Sequence, residues 1–378
     1  MKIKLDDNGL ILRFAPLTLT RPIGDLRFGI FTNQERWKFY LPEAEIYFET
    51  AKYLQTKFPD CLDADLIVNA CIIPDEEIIA ATINLEDDEV LVYEDIWLAK
   101  KGSALKKVIF KGEKPLILEN RWDIFEKNHL AIQNDFSGIS QVKQSQQLSE
   151  TNILIGSPDF LFIEEGAKIE GAILNTTQGP IYIGKGAEIM EGSMVRGPLA
   201  LCEEATLKMG AKVYGATTIG PHCKVGGEIS NVVFQAFSNK GHDGFLGNSL
   251  IGEWCNLGAD TNTSNLKNNY SMVSTYSYET QNEQKTNVQF MGLTMGDHSK
   301  CGINTMFNTA SVVGVFSNIF GSGFPKKFVS SFQWGGAEEM EVFQFEKALI
   351  AANNMMERRD LKLSDPEIQI LRHIYDQN

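Results

Sequence analysis

The sequence predicts two unlike architectures in one chain. A small α/β domain occupies residues 1–140, a parallel β-helix of the hexapeptide-repeat type occupies 152–335, and helices occupy 336–378. Three observations predict this. Short apolar runs alternate with a helical segment in the first 140 residues, an aliphatic residue then recurs at every sixth position, and after Gly336 the apolar spacing changes to three and four.

In the first segment the runs Leu66–Val68, Val90–Tyr93 and Pro115–Leu118 read as strands, and Pro42–Lys57 reads as helical. Trp122, Asp123 and Asn128 stand where this domain would be capped. The polar stretch Gln141–Thr151 is the natural linker.

The repeat comes next. Ile183, Ile189, Val195, Leu201, Leu207, Val213, Ile219 and Val225 are spaced by six, and small residues such as Ala187, Ser193, Ala205, Ala211, Thr217 and Cys223 follow four places after most of them. Ile163 and Ile169 begin the phase, and it returns at Leu246, Ile251 and Leu257, then at Met295, Cys301, Phe307, Val313 and Ile319. A period of six suits neither a helix nor a two-faced strand. It suits a triangular coil whose three sides are short parallel strands, with the aliphatic residue inside the prism and the small residue at the corner. Stacked coils bury one core and pair backbone groups between rungs. Left-handedness is a property of the known class, not of the period. The phase breaks at 226–245 and again at 266–290.

Beyond Gly336, Val342, Phe345, Leu349, Ala352 and Met356 form one helical face, and Asp365–Pro366 starts a second helix. These helices, with the Met355–Met356 pair, are expected to pack over the open end of the coil.

Composition narrows the function. A formal charge of −14 disfavours a general nucleic-acid or anionic-membrane binder, but local cations and backbone amides can still hold an anionic small molecule. No run approaches 18 apolar residues, so no membrane helix is expected, and the acidic start of MKIKLDDNGLILRF does not read as a secretory signal. Six cysteines without a C-x-x-C pair argue against a zinc knuckle or a dense disulfide framework, and fit a reducing cytoplasm. No metal-ligand set is assigned.

The first phase break holds Asn239, Lys240, Gly241, His242 and Asp243. A histidine on a loop beside a rigid scaffold is a candidate general base. Residues 238–265, SNKGHDGFLGNSLIGEWCNLGADTNTSN, carry Lys240-Gly241-His242, Leu246-Gly247, Asn256-Leu257-Gly258-Ala259-Asp260-Thr261 and Asn265. This stretch resembles the acetyltransferase half of bifunctional UDP-N-acetylglucosamine diphosphorylase/glucosamine-1-phosphate N-acetyltransferases. The resemblance implies a trimer that binds acetyl-CoA or another acyl-CoA along the outside of the coil, with His242 as the catalytic base. It implies substrate contacts from Lys240, Asn256, Asn265 and Lys224, and places Gly258, Ala259 and Thr261 beside the acyl donor. Phe245 and Leu266 replace tyrosines of the family pattern, and Gly226 stands where an arginine is expected, with Lys224 close by. The sugar shell is altered, so the substrate is left as a sugar phosphate or nucleotide-sugar.

The segment ILRFAPLTLTRPIGDLRFGI resembles the start of a sugar-1-phosphate nucleotidyltransferase through Arg13, Pro16, Leu17, Thr18 and Pro22. The glycine loop that would cradle phosphates is reduced to Asn8-Gly9, and Arg21 precedes Pro22 where the pattern has a lysine between prolines. The resemblance implies a nucleotide site formed by Arg13, Thr18, Arg21 and Asn69, and Mg²⁺ held with a nucleoside triphosphate. Asn69 occupies the place of a metal-binding Asp and is a weaker ligand. The plain alternative is that Arg13 and Arg21 form surface ion pairs in a reduced domain. Three functions therefore stand: an acyl-CoA-dependent N-acyltransferase with or without nucleotidyltransferase activity, a nucleotidyltransferase using the β-helix as a trimerisation scaffold, and a non-catalytic sugar-nucleotide-binding protein.

Overall fold

Ile3 and Leu5 of the first strand, Lys2–Asp6, are fully buried, and that strand pairs in parallel with Glu45–Glu49 on one side and Leu66–Asn69 on the other. The computed structural model describes residues 1–378. Its N-terminal sheet has six strands in the order Glu45–Glu49, Lys2–Asp6, Leu66–Asn69, Ile96–Lys100, Glu89–Tyr93, Lys106–Ile109. Pro42–Lys57 is not helical: it holds the edge strand Glu45–Glu49 and a 3₁₀ segment, Lys52–Thr56. Pairing with the first strand overrides local preference there.

Helix α1 (Asn33–Tyr40) is started by Thr32, whose side chain accepts from the Glu35 amide while Glu35 reaches back to the Thr32 amide. Helices α2 (Glu76–Ile83), α3 (Asp123–Glu126) and α4 (Asn128–Val142) follow. Asp123 accepts from the amides of Glu119 and Asn120, and Asn128 bonds outward to Ala216 O and Thr218 Oγ1 of the repeat. Ile30, Ile132, Phe136 and Ile139 pack on Phe162, Tyr182 and Ala200 of the coil. The α/β domain therefore lies along one side of the β-helix.

The repeat is a left-handed parallel β-helix with three sides. Its first side stacks Ile153–Ile155, Ile173–Asn175, Met194–Arg196, Lys212–Tyr214 and onward, and its second stacks Leu161–Ile163, Ile181–Ile183, Leu199–Leu201 and Thr217–Ile219. The third side stacks Lys168–Ile169, Glu188–Ile189, Thr206–Leu207, Lys224–Val225, Asn239–Lys240, Asn256–Leu257 and Lys300–Cys301. Ile169, Ile189, Leu207, Val225, Leu257 and Cys301 all lie in one apolar cluster inside the prism.

Residues 226–245 are not a break in this coil. Thr206 to Lys224 is eighteen residues, Lys224 to its partner Asn239 is fifteen, and Asn239 to Asn256 is seventeen. The rung is shortened because Glu228–Phe234 crosses the first two sides as one strand, turning at Asn231 with φ of 54°. Three residues fewer shift the hexad phase without leaving the ladder. The true excursion runs from Asn265 to Met291, whose amide returns to Asn265 O, and carries the hairpin Ser274–Ser277/Asn282–Lys285.

The C-terminal helices do not seal the coil end. The strands Gln333–Gly335 and Met340–Val342 form an antiparallel hairpin there, with Met340 against the prism core and Val342 exposed. Helix α5 (Phe345–Met356) and helix α6 (Asp365–Asp376) instead lie against the side of the coil. They cover a column of rings, His222, Phe237, Trp254, His298, Phe316 and Phe332, stacked at successive corners. Leu363, Ile370, Leu371 and Ile374 join Trp254, Phe316, Phe332 and the N-terminal sheet in one continuous core.

Candidate active site

His242 follows Lys240 at the corner after the third side of the shortened rung. Of the five histidines, it is the one that is exposed and makes neither a ring hydrogen bond nor a stacking contact. His129 bonds Glu126 O, His373 stacks on Tyr53, and His222 and His298 belong to the ring column.

Lys240 occupies an inward position of the prism, where the neighbouring rungs carry Val225 and Leu257. Its ammonium donates to Gly226 O at 3.2 Å, His242 O at 2.9 Å and Asp243 O at 3.3 Å. Burial pushes its pKa down to about 8, against the opposing charges of Asp243 and Asp260. Lys240 therefore ties the His242 and Asp243 carbonyls to that of Gly226 in the preceding rung from within, and is not presented to a ligand.

Two openings meet at His242. One, of about 390 Å³, is lined by Met209, Gly226, Gly227, Asp243 and Asp260. The larger is a cleft of about 650 Å³ between the third side of the coil and the segment after α5. Its walls carry Lys208, Lys224, Asn239, Asn256, Ile303, Met355, Arg358 and Arg359, and Gly241, Gly258 and Ala259 line it as well. Lys224, Asn239 and Asn256 are register partners in one outward row. Glycine leaves the next row bare. A Cβ at Gly241 would meet nothing within 4 Å, whereas one at Gly258 would fall 2.4 Å from the Gly302 backbone.

The structure thus brings together His242, Lys224, Asn256, Gly258 and Ala259, five of the residues that the sequence singles out. It places two others elsewhere. Asn265 donates to Asn248 Oδ1 at 2.9 Å at the base of the 265–291 excursion, and Thr261 is buried with its hydroxyl on Gly258 O at 2.7 Å. Sequence reasoning missed Lys208, Asn239, Met355, Arg358 and Arg359. The rung spacing could have found the first two, but nothing local shows that the C-terminal segment folds back over the coil.

The residues of the other resemblance are engaged in structure. Arg21 is buried and bridges the domains, donating to Glu253 Oε1 at 2.6 Å and to Asp297. Burial opposes its charge, but Asp297 and Glu253 hold the guanidinium protonated well above its ordinary range. Arg13 forms a surface ion pair with Glu279 at 3.2 Å. Thr18 is buried with its hydroxyl on Ile11 O, and Asn69 uses both amide ends, one on Trp97 O and the other on the Cys71 amide. Asn69 Oδ1 already accepts the Cys71 amide, and no group of three or more His, Cys, Asp or Glu is arranged to hold a metal ion. Asp7, at the end of the first strand, is tied to Thr50 and the Ile23 amide, and burial raises its pKa to about 7. These residues do not fit a metal–nucleotide site. No helix is long and apolar enough to cross a membrane.

Residues 3–144 match the family described as sugar nucleotidyl transferase. Over 163 residues the chain is 26% identical to a protein of Rippkaea orientalis named bifunctional protein GlmU, covering 38% of this chain and 35% of that one. The chain thus spans about a third of the length of that curated relative. Among solved structures, the polySia-specific acetyltransferase NeuO aligns with a TM-score of 0.28 at 12% identity, covering 51% of this chain and 81% of that one. UDP-N-acetylglucosamine acyltransferase of Arabidopsis aligns with a TM-score of 0.25 at 17% identity, covering 59% and 88%.

Proposed function

We propose that this chain, similar in its first 144 residues to sugar nucleotidyl transferases, is an acyl-CoA-dependent N-acyltransferase of an amino-sugar phosphate or nucleotide-sugar. The observation that carries the reading is the unpartnered His242 at the edge of a cation-lined cleft, on a backbone held from beneath by Lys240. The resemblance of residues 238–265 to the acetyltransferase pattern supports it. The nucleotidyltransferase reading is the weaker one, because Arg21, Thr18 and Asn69 are all engaged within the protein.

In this reading the lone pair of a neutral substrate amine attacks the thioester carbonyl carbon, and His242 takes the proton lost by the nitrogen. The tetrahedral adduct then collapses, the C–S bond breaks, and the imidazolium returns the proton to the departing CoA sulfur. The products are an amide and free CoA. His242→Gln removes the base while keeping a polar side chain of similar size. Turnover of an accepted amine should fall about a hundredfold or more, with the melting temperature unchanged, because the side chain is exposed. Unchanged turnover would remove His242 from the mechanism.

The oligomer is proposed to be a trimer assembled through the first side of the coil. That side presents Ile153, Ile155, Met194 and Tyr214, each at least 40% exposed, while the α/β domain covers the second side. These apolar residues share their outward columns with Asn175, Arg196 and Lys212, a mixed surface of the kind that can pack against another copy. Sedimentation of the wild type should report a trimer and Met194→Asp a smaller species. A monomeric wild type would end this part of the reading.

A further inference from the structure

The cleft beside His242 is an electrostatic exception. The chain carries a net charge of −14, yet Lys208, Lys224, Arg358 and Arg359 line this one cleft with no carboxylate among its lining residues. None of the four takes part in an ion pair or a side-chain hydrogen bond. Elsewhere the buried guanidiniums of Arg21, Arg27 and Arg36 each face a carboxylate, and that of Arg121 donates to Ala15 O, Thr275 Oγ1 and Tyr276 O. Gathering four unpaired cations raises mutual repulsion, and no carboxylate bonds any of them.

The two arginines are held there by the fold. Helix α5 ends in a 3₁₀ turn, Glu357–Arg359, which Asp360 closes with φ of 56°. The Leu361 amide returns to Met356 O, and the Leu363 amide is tied to Asn353 Oδ1. Met356 is buried, and the Arg359 guanidinium lies over the Phe237 ring at 5.7 Å. Burial, and less so Arg358, push Arg359 below the usual arginine range. Across the cleft the Asn239 amide oxygen is buried and accepts from nothing. A buried acceptor without a donor is uncommon enough to point to a missing partner. The row beginning at Gly241 is open to close approach.

We infer that this cleft binds the phosphate or pyrophosphate of a ligand, with Arg358 and Arg359 of the C-terminal segment gripping it opposite Lys208 and Lys224. Guanidinium pairs suit phosphate because two parallel N–H donors meet two oxygens at once. Asn239 accepts a hydroxyl or N–H from the same ligand. The C-terminal segment, which lies outside the repeat, is thereby part of the binding site. The inference rests on the proposed function only for which molecule carries the phosphate, since both CoA and a sugar nucleotide do.

The test is calorimetry on the full chain with inorganic pyrophosphate, CoA and UDP as separate probes. At least one should bind, and added salt should weaken the binding. Binding of CoA alone assigns the cleft to the donor, and binding of UDP alone assigns it to the acceptor. Arg358→Ala together with Arg359→Ala should weaken that probe about ten- to a hundredfold. Arg358→Ala alone, an exposed position, should weaken it less with an unchanged melting temperature. Arg→Lys at both sites should restore part of the affinity. Failure of all three probes to bind the wild type, or unchanged affinity in a folded double variant, overturns the inference. The base is read by turnover of His242→Gln, whereas the phosphate grip is read by probe binding to the arginine variants. Loss of the base reading and loss of the phosphate reading are therefore told apart.

Discussion

Arg21 and Arg359 both lie beside the C-terminal helices and do opposite things. Arg21 comes from the α/β domain, is buried, and meets Glu253 and Asp297 of the coil. Arg359 comes from the turn after α5, is partly buried, and meets a ring face and a second arginine but no carboxylate. Each side chain is fixed by its surroundings, but only Arg21 is electrically complete. The contrast separates architecture from ligand binding. A buried cation that has its counter-charge holds parts together, whereas a fixed cation with neither a counter-charge nor a hydrogen-bond acceptor is left for a ligand to complete.

The sharpest way to break that contrast is to remove the completed cation. Arg21→Met leaves Asp297 buried beside Glu253 with no guanidinium, and Thr20 Oγ1 becomes its remaining side-chain donor from the α/β domain. Loss of one partner from a buried pair costs about 3–5 kcal/mol. Denaturant unfolding should show that loss, with the α/β domain separating from the coil in an earlier transition. A change below about 1 kcal/mol would mean that Arg21 is dispensable to docking and leave its burial without a purpose. Substitution at Arg358 or Arg359 should do the reverse, costing ligand and not fold.

Much of the architecture was legible because a period of six has one structural solution, and Ile189, Leu207 and Val225 occupy the prism interior as the spacing predicts. The shortened rung was not legible as coil, because its inward position carries Lys240 and its corner has lost three residues. Polar identity at an inward site hides the phase, so His242 read as belonging to a loop outside the ladder. His242 and Asn256 could still be found because the stretch 238–265 resembles an acetyltransferase pattern, and Lys224 because it stands close to the expected arginine. Arg358 and Arg359 could not, since they arrive by the return of α5 along a ring column, and no local pattern encodes a long-range docking of that kind. Arg21 shows the converse error. A basic residue beside a proline fits a phosphate-binding pattern, yet Glu253 and Asp297, more than 230 positions away, already occupy it.

Lys240 lies between these two kinds of cation and gives the finest test of the distinction. It has no carboxylate bonded to it, but three carbonyl oxygens cap its ammonium, so it is completed by the turn that carries His242. Lys240→Met keeps the length and suits the apolar prism, so the fold should persist while the 241–244 turn loses its anchor. Turnover should drop about tenfold with KM little changed, the signature of a positioning residue. The pH dependence is a separate readout. The folded pKa, about 8, lies below the unfolded value near 10.5. Below pH 8 both states hold the proton and the burial penalty is constant. Between about pH 8 and 10.5 the unfolded chain holds more protons than the folded one, so wild-type stability rises with pH relative to Lys240→Met. Over the same interval the neutral amine has one fewer hydrogen to donate, and the wild type should lose turnover that the variant never had. Urea unfolding of both proteins at pH 7.5 and pH 10 measures the first effect. A stability difference that stays flat across that interval would show that the Lys240 ammonium is solvated, and would detach His242 from the support assigned to it.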